Sequence, residues 1–305
     1  MVSSYAKIRN ALLAWYASAG RAHLPWRSTR DPYCIVVSET MLQQTQVDRV
    51  LPKYLEFLQC FPTFEALASS STANVLRLWK GLGYNSRAVR LQKLAREVVA
   101  RFGGSIPQNR EALASLPGLG PYTIAAVRAF AFDLDDAAID TNVRRVTHRV
   151  LHGIEFPQVV SARALDGESR SLVPPRGGHA WNSAMMDLGA TICTARAPKC
   201  LLCPLKNHCA AAPVDAVELE RLRKKHAAKR SPQESLPFEQ TTRFVRGRIV
   251  DRLRELPPGG AISFLDLYRE VDLGGRTADD VRAIVGALKR DGLVTERNER
   301  YSLQD

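Results

Sequence analysis

The sequence predicts an all-α fold closed by a small winged-helix-like unit, on two observations. Apolar residues recur at three- and four-residue intervals through the first two thirds of the chain, where strict apolar–polar alternation is scarce. After about residue 240 the pattern shortens to three amphipathic stretches, a turn and two short strand-like runs.

The helical period marks Ile8–Tyr16, Ile35–Leu58, Val75–Trp79, Ala88–Val99, Ile124–Phe132 and Val143–Val150. Breaks fall between them: Pro62, then Gly81 and Gly83, then Gly103–Gly104 with Pro107. Residues 217–235 are charged and nearly devoid of large apolar side chains, which makes a linker or a solvated helix. The chain therefore divides into 1–212, a charged connector 213–239, and 240–305. In the last part Arg243–Leu256 is a helix, Ser263 caps a second over Phe264–Val271, and Thr277 caps a third running to Lys289. Asp291–Gly292 turns the chain into two strands around Asn298. Three helices and a hairpin are the winged-helix pattern, used for DNA and for protein contacts alike.

At 45% hydrophobic and 24% charged residues the chain can bury a sizeable core. Its net charge of +12 points to a polyanionic partner, nucleic acid first. The N-terminal stretch lacks the apolar core and cleavage site of a secretory signal, and nothing reaches the length of a membrane span. A cytoplasmic protein is expected, and Cys34 and Cys60, set among apolar residues, are expected as buried thiols.

Four cysteines crowd into the run 193–209: Cys193, Cys200, Cys203 and Cys209, spaced C-x6-C-x2-C-x5-C. Thiolates this close can hold a tetrahedral zinc or a four-iron cluster. The absence of two close pairs favours the iron–sulfur centre, and two disulfides would need an oxidising compartment.

Three further segments carry chemistry. Leu116–Gly120, reading LPGLG, is followed by Pro121, Tyr122, Thr123 and an apolar helix. Gly118 and Gly120 allow a tight turn, and the N–H groups opening the next helix can face a phosphate, so this is a helix–hairpin–helix signature. Asp140 stands before the helix starting at Thr141. By itself it is a helix cap, but its place twenty residues after the hairpin glycine points to a functional carboxylate. Glu39 lies in the apolar run Cys34–Leu42, where a carboxyl group can serve as a general acid near neutral pH.

These segments resemble one family. Pro25-Trp26-Arg27, the run Ser38–Val47, Gly81–Tyr84, Leu116–Thr123, Ile139–Val146, Ala184–Ala190 and the cysteine loop are similar to the helix–hairpin–helix DNA glycosylases that carry a [4Fe–4S] cluster. The Met41–Val47 run, MLQQTQV, resembles the MutY-type adenine DNA glycosylases. The resemblance spans roughly residues 5–212 and implies the helix–hairpin–helix glycosylase fold with an iron–sulfur loop. It implies that Glu39 protonates a flipped adenine, that Asp140 stabilises the sugar cation, and that Tyr122 and Asn142 support them. Trp26, Arg27 and Leu42 match members of the base pocket, Gln44 the side chain that enters the helix stack, and Cys193, Cys200, Cys203 and Cys209 the cluster ligands. Extruding the base makes it reachable, and a carboxylate beside the sugar opposes its developing charge.

Tyr122 stands where strand-cleaving relatives have a Schiff-base lysine, so excision without backbone cleavage is expected. The chain departs from the MutY type at Ser183, usually Gln or Glu contacting adenine, and at Asn85, often Tyr near the opposite base. The expected C-terminal domain resembling Nudix hydrolases is replaced by the winged helix. The implied function is removal of adenine opposite 8-oxoguanine or guanine by a monomer acting on mismatched double-stranded DNA, with no membrane association. Two other readings are removal of thymine or uracil opposite guanine, and a non-catalytic iron–sulfur DNA-binding protein.

Overall fold

The computed structural model describes residues 2–156, 158–227, 237–271, 273 and 275–305. Among the described residues sixteen α-helices and three short strands are formed. They are α1 Val2–Ala19, α2 Pro25–Ser28, α3 Pro32–Leu42, α4 Val47–Cys60, α5 Phe64–Ser69, α6 Thr72–Leu78, α7 Ser86–Phe102, α8 Arg110–Ala114, α9 Pro121–Phe132 and α10 Thr141–His152. There follow α11 Ala162–Leu172, α12 Gly178–Thr191, α13 Ala216–Ala227, α14 Thr242–Arg254, β1 Ile262–Ser263, α15 Phe264–Glu270, α16 Ala278–Arg290, β2 Val294–Arg297 and β3 Arg300–Leu303. None of these helices is long and apolar enough to cross a membrane. The chain divides into two compact units, Met1–Val36 with Leu119–Gln233, and Val37–Gly118 with Glu234–Asp305.

The first unit is built on α1, α10 and α12. Ile8 and Leu12 lie one turn apart on α1. Val143, Val146 and Val150 form a stripe on α10, and Trp181, Ala184, Met185 and Leu188 one on α12. All nine are buried in one cluster. Removing Leu12, wholly buried, is worth about 2–5 kcal/mol. Leu205 joins the same cluster and anchors the cysteine loop against it.

The second unit packs α5 and α6 against α7, with Leu67, Val75, Leu76, Leu91 and Leu94 buried. Phe57 of α4 meets the Trp79 ring edge-on at 5.9 Å. Residues 240–305 belong to this unit. As the sequence indicates, Ser263 caps α15 and Thr277 caps α16, the latter in a reciprocal capping box with Asp280. The sheet has the order β1-β3-β2, all antiparallel, which with α14, α15 and α16 makes a winged helix.

Two expectations change. The period over Ile35–Leu58 reads as one helix, but the chain breaks at 43–46 between α3 and α4. Gln44 takes the left-handed conformation there, at φ 56°. Cys60 is exposed and Cys34 half-buried, so neither is a core thiol. Of the two readings of the charged connector, the helix forms over Ala216–Ala227: α13 is supported by the pairs Glu218–Arg221 and Glu220–Arg223, and it buries Leu219 completely. The rest of the connector, 228–236, lies outside the described residues.

Candidate active site

Glu39, Leu42, Gln44 and Gly118 belong to the second unit. Trp26, Arg27, Gly120, Tyr122, Asp140, Asn142, Ser183 and the four cysteines belong to the first.

Glu39 sits in the last turn of α3 among Val36, Val37, Ser38 and Met41, all buried, and is itself only 7% exposed. A helix end leaves its final carbonyls without intrahelical partners. Here Arg87 takes them. Its Nη1 donates to the carbonyls of Thr40 (2.8 Å), Met41 (2.8 Å) and Gln43 (2.6 Å). Its Nη2 donates to Thr45 Oγ1 (3.0 Å) and to the carbonyls of Leu82 (2.9 Å) and Gly83 (3.1 Å). One buried guanidinium thus fixes the end of the Glu39 helix, the exposed Gln44 and the 82–83 turn together. Burial pulls its pKa down to about 10, so it stays charged at neutral pH.

The hairpin needs glycine at one of its two positions. Gly118 has φ 83°, and a Cβ there would lie 3.5 Å from Arg90 Cβ, so the demand is conformational rather than spatial. Gly120 has φ −82° and opens α9 without a side-chain cap. Pro121 has no N–H to lose at the first helical position, and Tyr122 follows it, half-buried.

Asp140 is the cap of α10 that its position allows. Its Oδ1 accepts from the Val143 N–H at 2.7 Å, and its Oδ2 accepts from Asn142 Nδ2 at 3.0 Å. Asn142 is held in turn, its Oδ1 accepting from Arg145 Nη2 at 2.9 Å. Arg145 also donates to the carbonyls of Gly189 (2.8 Å) and Cys193 (3.0 Å). Asp140 is therefore linked through two side chains to the first residue of the cysteine loop. Gly189 makes room for this, since a Cβ there would stand 2.8 Å from Asn142 Cβ.

Trp26 is buried, and Arg27 is anchored inside the fold. Arg27 Nη1 donates to Ser183 Oγ at 2.7 Å, its Nη2 reaches Asp187 at 3.4 Å, and its guanidinium lies 5.4 Å from the Phe130 ring centre. Ser183 is fully buried. Asp187 also accepts from the Arg21 backbone and side chain at 2.8–2.9 Å, tying α2 and its approach to α12.

The four loop cysteines form no disulfide and line one apolar pocket with Val146, Leu188 and Pro198. The Val214 N–H points at Cys200 Sγ (3.4 Å) and Arg149 Nη1 at Cys193 Sγ (3.6 Å). Burial pushes the Cys203 thiol up to about 11 and the Cys209 thiol up as well. Four sulfurs gathered in one apolar pocket, with N–H donors beside two of them, suit a centre whose own positive charge stabilises thiolates. The donor set fits an iron–sulfur cluster.

Arg87, Arg145 and Asp187 escape sequence reasoning. Each is a single polar residue on an amphipathic helix, and only the tertiary partners distinguish it from a surface charge.

Residues 37–164 match the HhH-GPD superfamily base excision DNA repair protein model, and 193–209 match the iron-sulfur binding domain of endonuclease III. The chain is similar to the adenine DNA glycosylase of Mycobacterium tuberculosis, 39% identical over 292 residues, 93% of this chain and 89% of that protein. It is also similar to the thymine/uracil-DNA glycosylase of Pyrobaculum aerophilum, 38% identical over 67% of this chain and 90% of that one. The structure of a thermostable thymine-DNA glycosylase superposes with a TM-score of 0.63 at 33% identity, covering 68% of this chain and 96% of that one.

Proposed function

We propose, for a chain that belongs to the HhH-GPD superfamily of base excision DNA repair proteins and within it to the adenine DNA glycosylases, that it excises adenine standing opposite 8-oxoguanine or guanine in duplex DNA. The observation that carries the mechanism is a pair of differently housed carboxylates. Glu39 is buried in an apolar helix end, and Asp140 has both oxygens hydrogen-bonded at the start of α10.

Gln44, exposed on a left-handed turn, enters the base stack as adenine leaves it. Glu39 delivers a proton to the departing base, and the bond between C1′ and adenine breaks. The sugar left behind is an oxocarbenium ion, and Asp140 stabilises it electrostatically from a position that Val143 and Asn142 hold fixed. Water then adds to C1′ and leaves an abasic site. Tyr122 has no amine, so no Schiff base forms and the backbone stays intact. Backbone N–H groups at the start of α9 grip a phosphate near Gly118 and Gly120. Trp26, Arg27 and Leu42 shape the base pocket, and Ser183 acts on it through Arg27. The protein carries a [4Fe–4S] cluster. We assign Cys193, Cys200, Cys203 and Cys209 as its ligands; when bound it cross-links the loop whose Cys193 carbonyl steadies Arg145, and so supports Asn142 and Asp140.

Adenine is preferred over thymine because the likeness to the mycobacterial adenine glycosylase runs through 93% of this chain, and so into the winged helix, against 67% for the thymine/uracil enzyme. A panel of labelled duplexes, one per mismatch, treated with alkali after incubation, tests this. Adenine released opposite 8-oxoguanine and guanine, by a monomer that borohydride does not trap on DNA, is expected. Thymine or uracil released opposite guanine with adenine untouched refutes it.

A further inference from the structure

Arg149, on the last turns of α10, is a guanidinium buried to 1% exposure against the cysteine loop. Its five N–H groups meet five acceptors. Nε and Nη2 donate to the two carboxylate oxygens of Glu155, both at 2.6 Å. Nη1 donates to the Thr194 carbonyl at 2.7 Å and points at Cys193 Sγ at 3.6 Å. Nη2 also reaches the Ala195 carbonyl at 3.4 Å. The far end of the loop returns to the same place: the Arg149 carbonyl accepts from the Ala211 N–H at 3.0 Å, and the Val150 carbonyl from the Ala210 N–H at 2.9 Å.

Glu155 has a separate origin. It lies neither on α10 nor in the cysteine loop, but on the segment that leaves the helix. Gly153 takes φ 91° at the helix end, and its carbonyl accepts from His148 Nδ1 at 3.0 Å, which fixes the turn that brings Glu155 back to Arg149. The loop itself needs the guanidinium, which holds the Thr194 and Ala195 carbonyls. What the carboxylate adds is charge. Arg145, one turn earlier on α10, brings a second guanidinium to Cys193 and donates to its carbonyl at 3.0 Å. Two buried cations thus border one cysteine, and Glu155 is ion-paired with one of them. Burial by itself would lower the Arg149 pKa, but the bonds and charge of Glu155, with Cys193, raise it on balance, so the cation beside the sulfur persists.

A cation next to a cysteine ligand favours the electron-rich form of an iron–sulfur centre and so raises its potential. A carboxylate that offsets the cation lowers it. We propose that Glu155 sets the redox potential of the cluster, acting through Arg149 by offsetting the charge that Arg149 brings to the Cys193 sulfur. This rests on the assignment of Cys193, Cys200, Cys203 and Cys209 as the cluster ligands. The couple passes one electron between the cluster and an external one-electron carrier, and no bond is made or broken. With Glu155 in place the oxidised form is reached more easily than the two neighbouring guanidinium groups alone would allow.

The test is an equilibrium titration of the full-length, cluster-bearing protein against mediator dyes, followed by visible absorbance and electron paramagnetic resonance. Glu155→Gln should raise the midpoint so that the reduced-to-oxidised ratio at a fixed potential grows at least about tenfold, or about 59 mV for a one-electron couple. Glu155→Ala removes the same charge without turning an amide N–H toward Arg149, and should give the same shift should the glutamine variant fold poorly. Glu155→Asp keeps the charge and should stay near the unaltered midpoint. Arg149→Met/Glu155→Gln removes both charges and should return most of the shift. Iron, sulfide and melting are measured for every variant. A role confined to holding the loop would lower melting and iron content while the surviving clusters keep the unaltered midpoint. That result overturns the proposal, as does a lowered midpoint in Glu155→Gln, or loss of the cluster from the glutamine and alanine variants alike. If the unaltered protein holds no iron–sulfur centre, the ligand assignment fails; if it holds one whose midpoint ignores Glu155, only this inference fails.

Discussion

Replacing Asp140 by Asn separates the helix cap it makes from the role proposed for it at the sugar cation. In the structure Oδ1 caps the Val143 N–H at 2.7 Å, and an amide oxygen does this as well as a carboxylate. The Oδ2 contact fares differently. An amide nitrogen there would face Asn142 Nδ2, donor to donor, and Asn142 cannot simply turn over because Arg145 Nη2 holds its Oδ1 at 2.9 Å. The variant therefore loses one hydrogen bond, about 1–2 kcal/mol of stability, out of a total on the order of 5–15 kcal/mol. It stays folded. The excision step loses the charge facing the oxocarbenium ion, which costs roughly 100- to 1000-fold in rate, or about 3–4 kcal/mol. Asp140→Ala should lose the cap too, a further ~1 kcal/mol of stability, with little additional loss of rate. Single-turnover excision at saturating protein gives the chemical step, duplex binding gives affinity, and thermal melting gives stability. Near-native excision by Asp140→Asn, or a rate loss that merely follows its binding or melting loss, would refute the assignment of Asp140 to the sugar cation.

Other outcomes follow from the same geometry. Arg87→Lys offers three donors to six acceptors and should lower the melting temperature clearly; Arg87→Ala should lower it further, each buried carbonyl left unpaired costing about 1–3 kcal/mol, and an unchanged melting curve for the alanine variant would contradict the clamp. Gly118→Val has room for its Cβ but not for φ 83°, so strain of about 1–2 kcal/mol should weaken binding alike for matched and mismatched duplexes; a loss confined to one mismatch would point instead to a base contact. Cys203→Ser should give colourless protein with little iron, lower yield and weaker DNA binding; unaltered protein that holds zinc and negligible iron would exclude the cluster.

Elements with a local cause were legible in the sequence. Ser263, Thr277 and Asp140 cap helices because a short polar side chain before an apolar period has little else to do. The hairpin glycine and the cysteine spacing are equally local. What escaped has a distant cause. The break at Gln43–Gln46 interrupts a period that continues across it, and the carbonyls it frees are taken by Arg87, 44 residues after Gln43. The winged helix is legible as three helices and a hairpin, but its attachment is not, since Arg254 finds Leu76 and Asn85 at separations of 178 and 169 residues. Helix α13 was legible as a solvated helix, but its buried Leu219 was not. Its stability comes from ion pairs one turn apart and a single buried leucine, which composition alone reads as solvated.

Ser183 shows how a departure from the family pattern acquires meaning from packing. Glutamine or glutamate at this place would meet adenine in the relatives the sequence resembles, so restoring glutamine looks like a route to tighter adenine binding. The structure argues otherwise. Ser183 is fully buried on α12, and its hydroxyl accepts from Arg27 Nη1 at 2.7 Å. Arg27 is held from its other side by Asp187 at 3.4 Å, and Asp187 is committed to Arg21. A glutamine adds three heavy atoms where the serine leaves no exposed surface. It must push Arg27 out of this chain of contacts or shift α12. Overpacking of this kind costs about 1–3 kcal/mol. Ser183→Gln is therefore expected to melt lower and to excise adenine no faster, because the longer side chain first disturbs Arg27, which we assign to the base pocket. Pairing the change with Arg27→Ala locates the effect: if the second substitution removes most of the melting penalty of the first, the two side chains compete for one space. Faster adenine excision by Ser183→Gln with unchanged melting would show that position 183 opens onto the base, and that the serine limits this enzyme by what it fails to reach.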